Sequence, residues 1–538
     1  MTLRSISHAG SRASTDREQP PDREEPERAP GPIGRVVGFR GSLEGEGMLA
    51  FISDLHLSDG TAIAGNVAPE TFELVLGEIH DLAEQVARAR DRPTIVHLVL
   101  LGDIFDLLRT ERWFETRRGD AVPLAERPWA TAAALGTAPP NEAALGHARD
   151  MLDEIAEVNG EALAALRGET GEPPEGVTVR RVYVPGNHDR LYLHDEGVRA
   201  RVLAALGAED AGAIGEEGFT QHAVVRPDYG VIARHGHEWD MWNFAGYRGS
   251  QARSARRPEE YLPTPIGDVV TTELAARLPY ELEQRLLESR LFPPDLVGRI
   301  HQRMKRIDDV RPLFASFRWA YHAADQLGAE LDRAQDRALR LALDDTMRAM
   351  ARAFRELPYY QAWVERRREP CCVDATDLLR LAVWGLTRVS APVREIASLL
   401  ESVLVRWSPI DAARRGARRE DLALVGREEM RFVVYGHTHL AAQIPIRGGA
   451  VAQDVYLNTG TYRPGVFRSD LGPGFIGWNR LGYVCLASPE EAMFAPPVFG
   501  ALGGGPSFVA WSGARSHGAP SRSGAPAIVP APTDPRSD

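Results

Sequence analysis

Five times along this chain a short apolar run stops abruptly at a cluster of Asp, His or Asn residues. MLAFIS (48–53) hands over to Asp54-Leu55-His56, and TIVHLVLL (94–101) to Gly102-Asp103-Ile104-Phe105-Asp106. VRRVYVP (179–185) runs into Gly186-Asn187-His188-Asp189. YGVIAR leads into His235-Gly236-His237-Glu238-Trp239-Asp240, and RFVVY into Gly436-His437-Thr438-His439. A short apolar run bounded by polar residues reads as a buried strand that delivers those residues to a sheet edge. Amphipathic stretches at about Glu70 to Val86 and Glu142 to Leu166 separate the first three runs, so strand and helix alternate, which predicts an α/β sheet.

The residue types at these ends suit metal ions. Asp54 and His56 lie two apart at a strand end and should project to one side, and a carboxylate with an imidazole suits a transition metal. Asp103 follows a glycine at a strand tip and Asp106 follows three residues on, and one carboxylate with its two oxygens can bridge two cations. The Asn187 amide oxygen can ligate while the adjacent His188 imidazole stays free for acid chemistry. Taken singly, Asp-x-His is a capped turn with a solvated histidine. His80, His97, His147, His194, His222, His301 and His322 read as satisfied core or surface residues. The five clusters taken in order are what carries the argument.

In that order, Asp-x-His, Gly-Asp-x-x-Asp, Gly-Asn-His-Asp, His-Gly-His and Gly-His-Thr-His resemble the complete motif series of the calcineurin-like metallophosphoesterases, over roughly residues 46–240 and 430–497. The resemblance implies a four-layer α/β/β/α sandwich with two divalent metal ions at the carboxyl ends of its strands. It assigns Asp54, His56, Asp103 and His439 to one ion, and Asp103, Asn187, His235 and His437 to the other. Asp103 is then the bridge, and His237 has at most a supporting role. It further implies hydroxide between the metals as nucleophile, with His188, held by Asp106, giving a proton to the leaving group. Mn, Fe, Zn, Ni and Co all tolerate such ligands. Arg112 and Arg190 are the first candidates for substrate phosphate, ahead of Arg109, Trp113, Tyr462 and Arg463.

Residues 241–429 match no part of the series; they are Leu- and Arg-rich with helical periodicity, which predicts a helical insertion, or cap. The core then falls in two parts, 46–240 and 430–500. The Pro-, Glu-, Arg- and Ser-rich stretch 1–45 and the segment 501–538 read as disordered tails. No 18-residue apolar run offers a membrane span, and no secretory signal opens the chain, which points to the cytoplasm. Three cysteines, two of them the adjacent Cys371 and Cys372, make no disulfide framework. A net charge of -12 counts against nucleic acid as a partner.

The expected activity is hydrolysis of a phosphoester, as a phosphodiesterase or pyrophosphatase. The series is similar to the branch containing lipid-precursor pyrophosphatases, and an amphipathic insertion would suit lipid or membrane-surface contact through pairs such as Leu291-Phe292 and Leu357-Pro358. The alternatives are a phosphomonoesterase or nuclease of the same superfamily and, from another class, a non-catalytic binding module that keeps the fold.

Overall fold

Each of the five apolar runs is a strand in the computed structural model, which describes residues 47–130, 140–212, 219–247, 258–311, 315–328, 330–366, 375–389, 391–396, 409–425, 430–449, 453–469, 474–488 and 507–516. β1 (Met48–Ile52), β2 (Thr94–Leu101), β3 (Val177–Val184) and β4 (Glu209–Asp210) lie parallel in the order β4-β3-β2-β1. Parallel neighbours need crossovers, and helices at Pro69–Arg90, Glu142–Val158, Gly160–Arg167 and Glu196–Leu206 supply them. β5 (Phe219–Thr220), β6 (Ala223–Arg226) and β7 (Val231–Ala233) start a second sheet, while β8 (Val310–Arg311) lies inside the insertion. β9 (Met430–Tyr435), β10 (Ala442–Arg447) and β11 (Gln453–Asn458) complete the second sheet in the order β10-β11-β9-β7-β6-β5. β12 (Pro464–Arg468), β13 (Phe475–Ala487) and β14 (Ser507–Ser516) return to the first sheet, where β13 runs antiparallel to β1.

Side chains alternate across each strand, and the two faces go to different cores. Leu49, Phe51, Val99, Leu101, Val182 and Val184 of the first sheet share a core with Val231, Ala233, Phe432 and Val434 of the second. The opposite face of the first sheet, with Ala50, Ile52, Leu98 and Leu100, packs on Phe72, Val75 and Ile79 of the first helix. The outer face of the second sheet, with Ile232, Val433 and Tyr435, packs on Ala413 and Ala417 of the helix Pro409–Ala417. Strands buried on both faces read as unbroken apolar runs, which is why they stood out in the sequence.

Two of the expected boundaries shift. Ser507–Ser516, expected within the C-terminal tail, pairs antiparallel with β13 from Trp478 to Ala487. Its Phe508 and Ala510 face the core between the sheets, and Val509 and Trp511 face the helical side. Small residues and glycine hid that alternation, and the strand covers an edge that β13 would otherwise leave open. Residues 241–429 are also more than a cap. β8 adds a parallel edge strand beside β12, pairing Val310 with Val466 and Arg311 with Phe467. The helix Pro409–Ala417 belongs to the packing of the second sheet. The remaining insertion helices form their own core around Leu282, Ile300, Trp319, Leu343 and Met347.

No helix among the described residues is long and apolar enough to cross a membrane. Of the apolar pairs considered for lipid contact, Leu291 is 42% exposed, whereas Phe292 and Leu357 are buried in the insertion. Cys485 is buried on β13; Cys371, Cys372, the stretch 1–45 and residues 517–538 lie outside the described residues.

Candidate metal centre

Backbone conformation singles out the centre before any side chain is considered. Seven non-glycine residues among those described have positive φ. Asp91 and Arg290 end helices, and the other five are Asp54 (55°), His56 (47°), Asp103 (53°), His437 (64°) and His439 (59°). A non-glycine residue in the left-handed region costs about 1 kcal/mol or more. Five together approach the lower end of a domain's whole net stability, about 5 kcal/mol, so the surroundings must hold them there. They do so by pairing the loops. Asp54 N donates to Gly102 O (3.1 Å), His56 N to Asp103 O (2.9 Å) and Asp106 N to Leu57 O (2.9 Å). Asp54 and His56 therefore converge through a left-handed turn beyond the end of β1, and not through strand alternation as their spacing suggested.

The turns bring two ligand groups together: Asp54 with His56 and His439, and Asp103 with His235 and His437. Asp54 Oδ2 accepts from Ser53 and from His437 N (2.9 Å), while the buried Oδ1 has no hydrogen-bond partner and lies 3.3 Å from His439 Nε2. Asp103 Oδ1 accepts from His188 N (2.8 Å), leaving Oδ2 at 3.2 Å from His235 Nε2 and 3.9 Å from His56 Nε2. One oxygen thus faces both groups. His235 Nδ1 donates to Leu101 O (2.9 Å), and the Asn187 amide oxygen is 3.2 Å from its Nε2. His56 Nδ1 pairs with Asp106 Oδ2 (3.0 Å) and His437 Nε2 with Asp240 Oδ2 (3.1 Å). An imidazole anchored through one nitrogen presents the other as a ligand.

These residues could hold metal ions. The orphaned Asp54 oxygen, the Asp103 oxygen that faces both groups and the anchored imidazoles make a donor set of N and O atoms suited to divalent transition metals. The motif glycines are part of the fit. A Cβ on Gly186 would lie 2.2 Å from Asp103 Oδ1, and one on Gly436 2.4 Å from Asp54 Oδ2, so the carboxylates occupy the space that a side chain would fill.

His188 stands beside this set. Its Nδ1 is 3.0 Å from Asp106 Oδ1, so Asp106 holds His188 and the ligand His56 with its two oxygens, and Arg109 Nε donates to the same carboxylate. Burial pulls the His188 pKa down, but Asp106 and Asp103 more than offset this and push it up to about 9. Against burial, Arg109 and His188 hold Asp106 well below the usual carboxylate range. Burial dominates at Asp54, raised to about 6, and at His56, lowered to about 3.

The two arginines expected to meet substrate are both engaged by carboxylates. Arg112 forks onto Glu154 (2.9 and 2.7 Å), and Arg190 is tied to Asp268 (2.9 Å) and Thr264 (3.2 Å) at the start of the insertion. Neighbouring residues gave no hint of these carboxylates, which lie 42 and 78 positions away. Trp113 donates to Leu107 O, Tyr462 to Gly482 O, and Arg463 to Gly65 O and Asp309. His237 is buried behind the ligands, its ring 5.4 Å from that of His235.

Other groups reach the centre without having been given a role from the sequence. Asp240 backs His437, Asp308 pairs with Arg109, and Arg311 Nη2 lies 2.8 Å from His439 Nδ1. The last two come from the insertion.

A further joint between core and insertion lies at His301, whose Nε2 is 2.6 Å from Glu111 and Nδ1 3.3 Å from Glu283. Burial lowers its pKa, and the two carboxylates overcome this and raise it to about 9. A folded value above the unfolded value of about 6.5 means stabilisation present in full below about pH 6.5 and lost as the pH rises through about 9. Between pH 7 and 10, the protection of amides in the helices Arg277–Ser289 and Pro294–Met304, relative to their intrinsic exchange at each pH, should drop and Tm should fall. His301→Gln should flatten that decline, and a variant that falls as steeply as wild type would remove His301 from the joint.

A cavity of about 1120 Å³ lies between the insertion and the sheet edge at Trp319, Arg306 and Gly477, and is lined by none of the candidate ligand residues. No protein-family model, no curated protein and no solved structure matches this chain.

Proposed function

We propose that this chain is a dinuclear metal-dependent hydrolase of phosphoester bonds with a calcineurin-like α/β/β/α sandwich at its core. The observation that carries the reading is Asp103, one of whose oxygens faces both ligand groups while the other is occupied by the His188 backbone. Asp54, His56, Asp103 and His439 would hold one cation, and Asp103, Asn187, His235 and His437 the other. Divalent cations there would supply Lewis acidity toward phosphoryl oxygens and lower the pKa of water toward neutrality.

The remaining tasks fall to the chain itself. His188, its pKa pushed up to about 9 by Asp106 and Asp103 and its ring held through Nδ1, would present Nε2 as the donor to a leaving oxygen. Asp106 orients it, and Arg109 keeps Asp106 ionised. The layering of two sheets between helices supports the fold assignment. The test is hydrolysis of bis-p-nitrophenyl phosphate by metal-stripped protein before and after refilling with Mn²⁺. Activity should be absent from the stripped protein and restored by the metal; equal rates in both would remove the metals from the reaction.

A further inference from the structure

The cavity of about 1120 Å³ has the helix Pro294–Met304 and its continuation on one side, and the helix Ser316–Leu327 with β13 on the other. Arg303 and Arg306 both line it, and their spacing puts the two side chains on one face. Neither has a carboxylate partner among the described residues: Arg303 donates to Gln326 Oε1 (2.6 Å), and the Arg306 guanidinium lies over Gly477. A Cβ on Gly477 would come within 3.2 Å of Arg306 Nη2, so glycine there makes the room. The acids of the cavity wall are placed elsewhere. Glu283 meets His301 Nδ1 (3.3 Å) and Glu330 meets Arg299 (3.3 Å). Asp295 stands exposed in the first turn of its helix, about 12 Å along the axis from Arg303. Two half-buried guanidinium groups side by side repel each other unless an anion joins them.

The opposite wall supplies rings. Arg303 can only donate, so Gln326 turns its oxygen to Arg303 and its NH2 to His322 Nε2 (3.0 Å), which leaves the His322 proton on Nδ1. The His322 ring lies 5.3 Å from that of Phe475, centroid to centroid, and both line the cavity. Phe475 and Gly477 alternate with Ile476 on β13, so they face the same side about 7 Å apart along the strand. An anion on Arg306, above Gly477, and a flat ring against Phe475 are then separated by about the span of one sugar.

We infer that this cavity binds a mononucleotide, with the phosphate on Arg303 and Arg306 and the base against the rings of His322 and Phe475. The volume is that of a small-molecule site and leaves room for the ribose between them. Stacking on a ring tolerates any base, and nothing in the argument selects one. The inference does not rest on the hydrolase reading, because no candidate metal ligand lines the cavity and the arginines hold the phosphate without a metal. The two places are nevertheless joined by one segment. Lys305–Asp309 carries Arg306 in the cavity wall and Asp308 on Arg109, and it leads into β8, whose Arg311 lies against His439.

The experiment is calorimetric titration of the full-length chain, Mn²⁺-loaded and again after chelation, with adenosine 5′-monophosphate, adenosine and orthophosphate. The monophosphate should bind the chelated protein at least roughly tenfold more tightly than either fragment, since charge-assisted hydrogen bonds and stacking act together. Arg306→Gln should weaken it roughly tenfold. Arg306 is half-buried and has no hydrogen-bond partner among the described residues, so this variant should melt as wild type does. Phe475→Leu should weaken the monophosphate roughly fivefold or more and leave orthophosphate unchanged. Loss of binding on chelation would assign the nucleotide to the metal centre and overturn the site. So would no binding at all, affinity no better than that of orthophosphate, or unchanged affinity in Arg306→Gln. Metal-independent nucleotide binding by a protein that hydrolyses no ester would keep the site and sink the hydrolase reading; hydrolysis of bis-p-nitrophenyl phosphate without nucleotide binding would do the reverse.

Discussion

Replacing Asp103 with alanine should empty both cation sites and lower hydrolysis by roughly 10³-fold or more, since outer-shell partners alone are worth about 10–100-fold at metal sites. The reason is positional. Asp103 Oδ2 is 3.2 Å from His235 and 3.9 Å from His56, one from each ligand group, so no other residue can replace its link between them. The substitution also removes the acceptor of the His188 N–H (2.8 Å), which positions the proposed acid. Backbone strain provides a control. Asp103 has φ 53°, so glycine there relieves strain that alanine keeps. Asp103→Gly should therefore lose the metals as fully as Asp103→Ala while unfolding at a higher temperature. Metal content by atomic emission and Tm in the presence of chelator measure the two effects separately. An Asp103→Ala protein that still carried two metals per chain would end the bridging assignment.

That prediction draws on residues legible in the sequence, because the proposed ligands sit in short contiguous motifs at the ends of apolar runs. The clusters were readable; the way they converge was not. The spacing of Asp54 and His56 suggested alternation along a strand, but β1 ends at Ile52 and a left-handed turn does the work. Contacts made across the chain left no local trace. Arg112 and Arg190 looked free because Glu154 and Asp268 lie far away in sequence. Arg311 looked like one more arginine in an arginine-rich insertion, since a two-residue strand has no periodicity to read. β14 likewise offered only the short apolar run 508–511 before Ser512 and Gly513. Sequence pattern reports what a segment buries against its own sheet, and says little about which charged side chain a distant segment will meet.

His188→Ala should keep both metals and slow turnover by about 10²–10⁴-fold on an ester with an alkoxide leaving group, the range typical for loss of a general acid. The loss should be much smaller on bis-p-nitrophenyl phosphate, because p-nitrophenolate leaves without needing a proton. His188 belongs to neither proposed ligand set; its Nδ1 rests on Asp106 Oδ1, and Asp106 with Asp103 pushes its pKa up to about 9, which favours the proton-bearing form a general acid needs. Asp106→Asn makes the contrast. Asp106 Oδ2 also anchors the ligand His56 through Nδ1 (3.0 Å), so this variant should lose metal affinity as well as the acid, and should slow both esters. Rates on the two esters, compared across the two variants at saturating Mn²⁺, separate proton donation from metal support. If His188→Ala slowed both esters by the same factor, His188 would be binding the phosphoryl group, and the proton would have to reach the leaving oxygen from elsewhere.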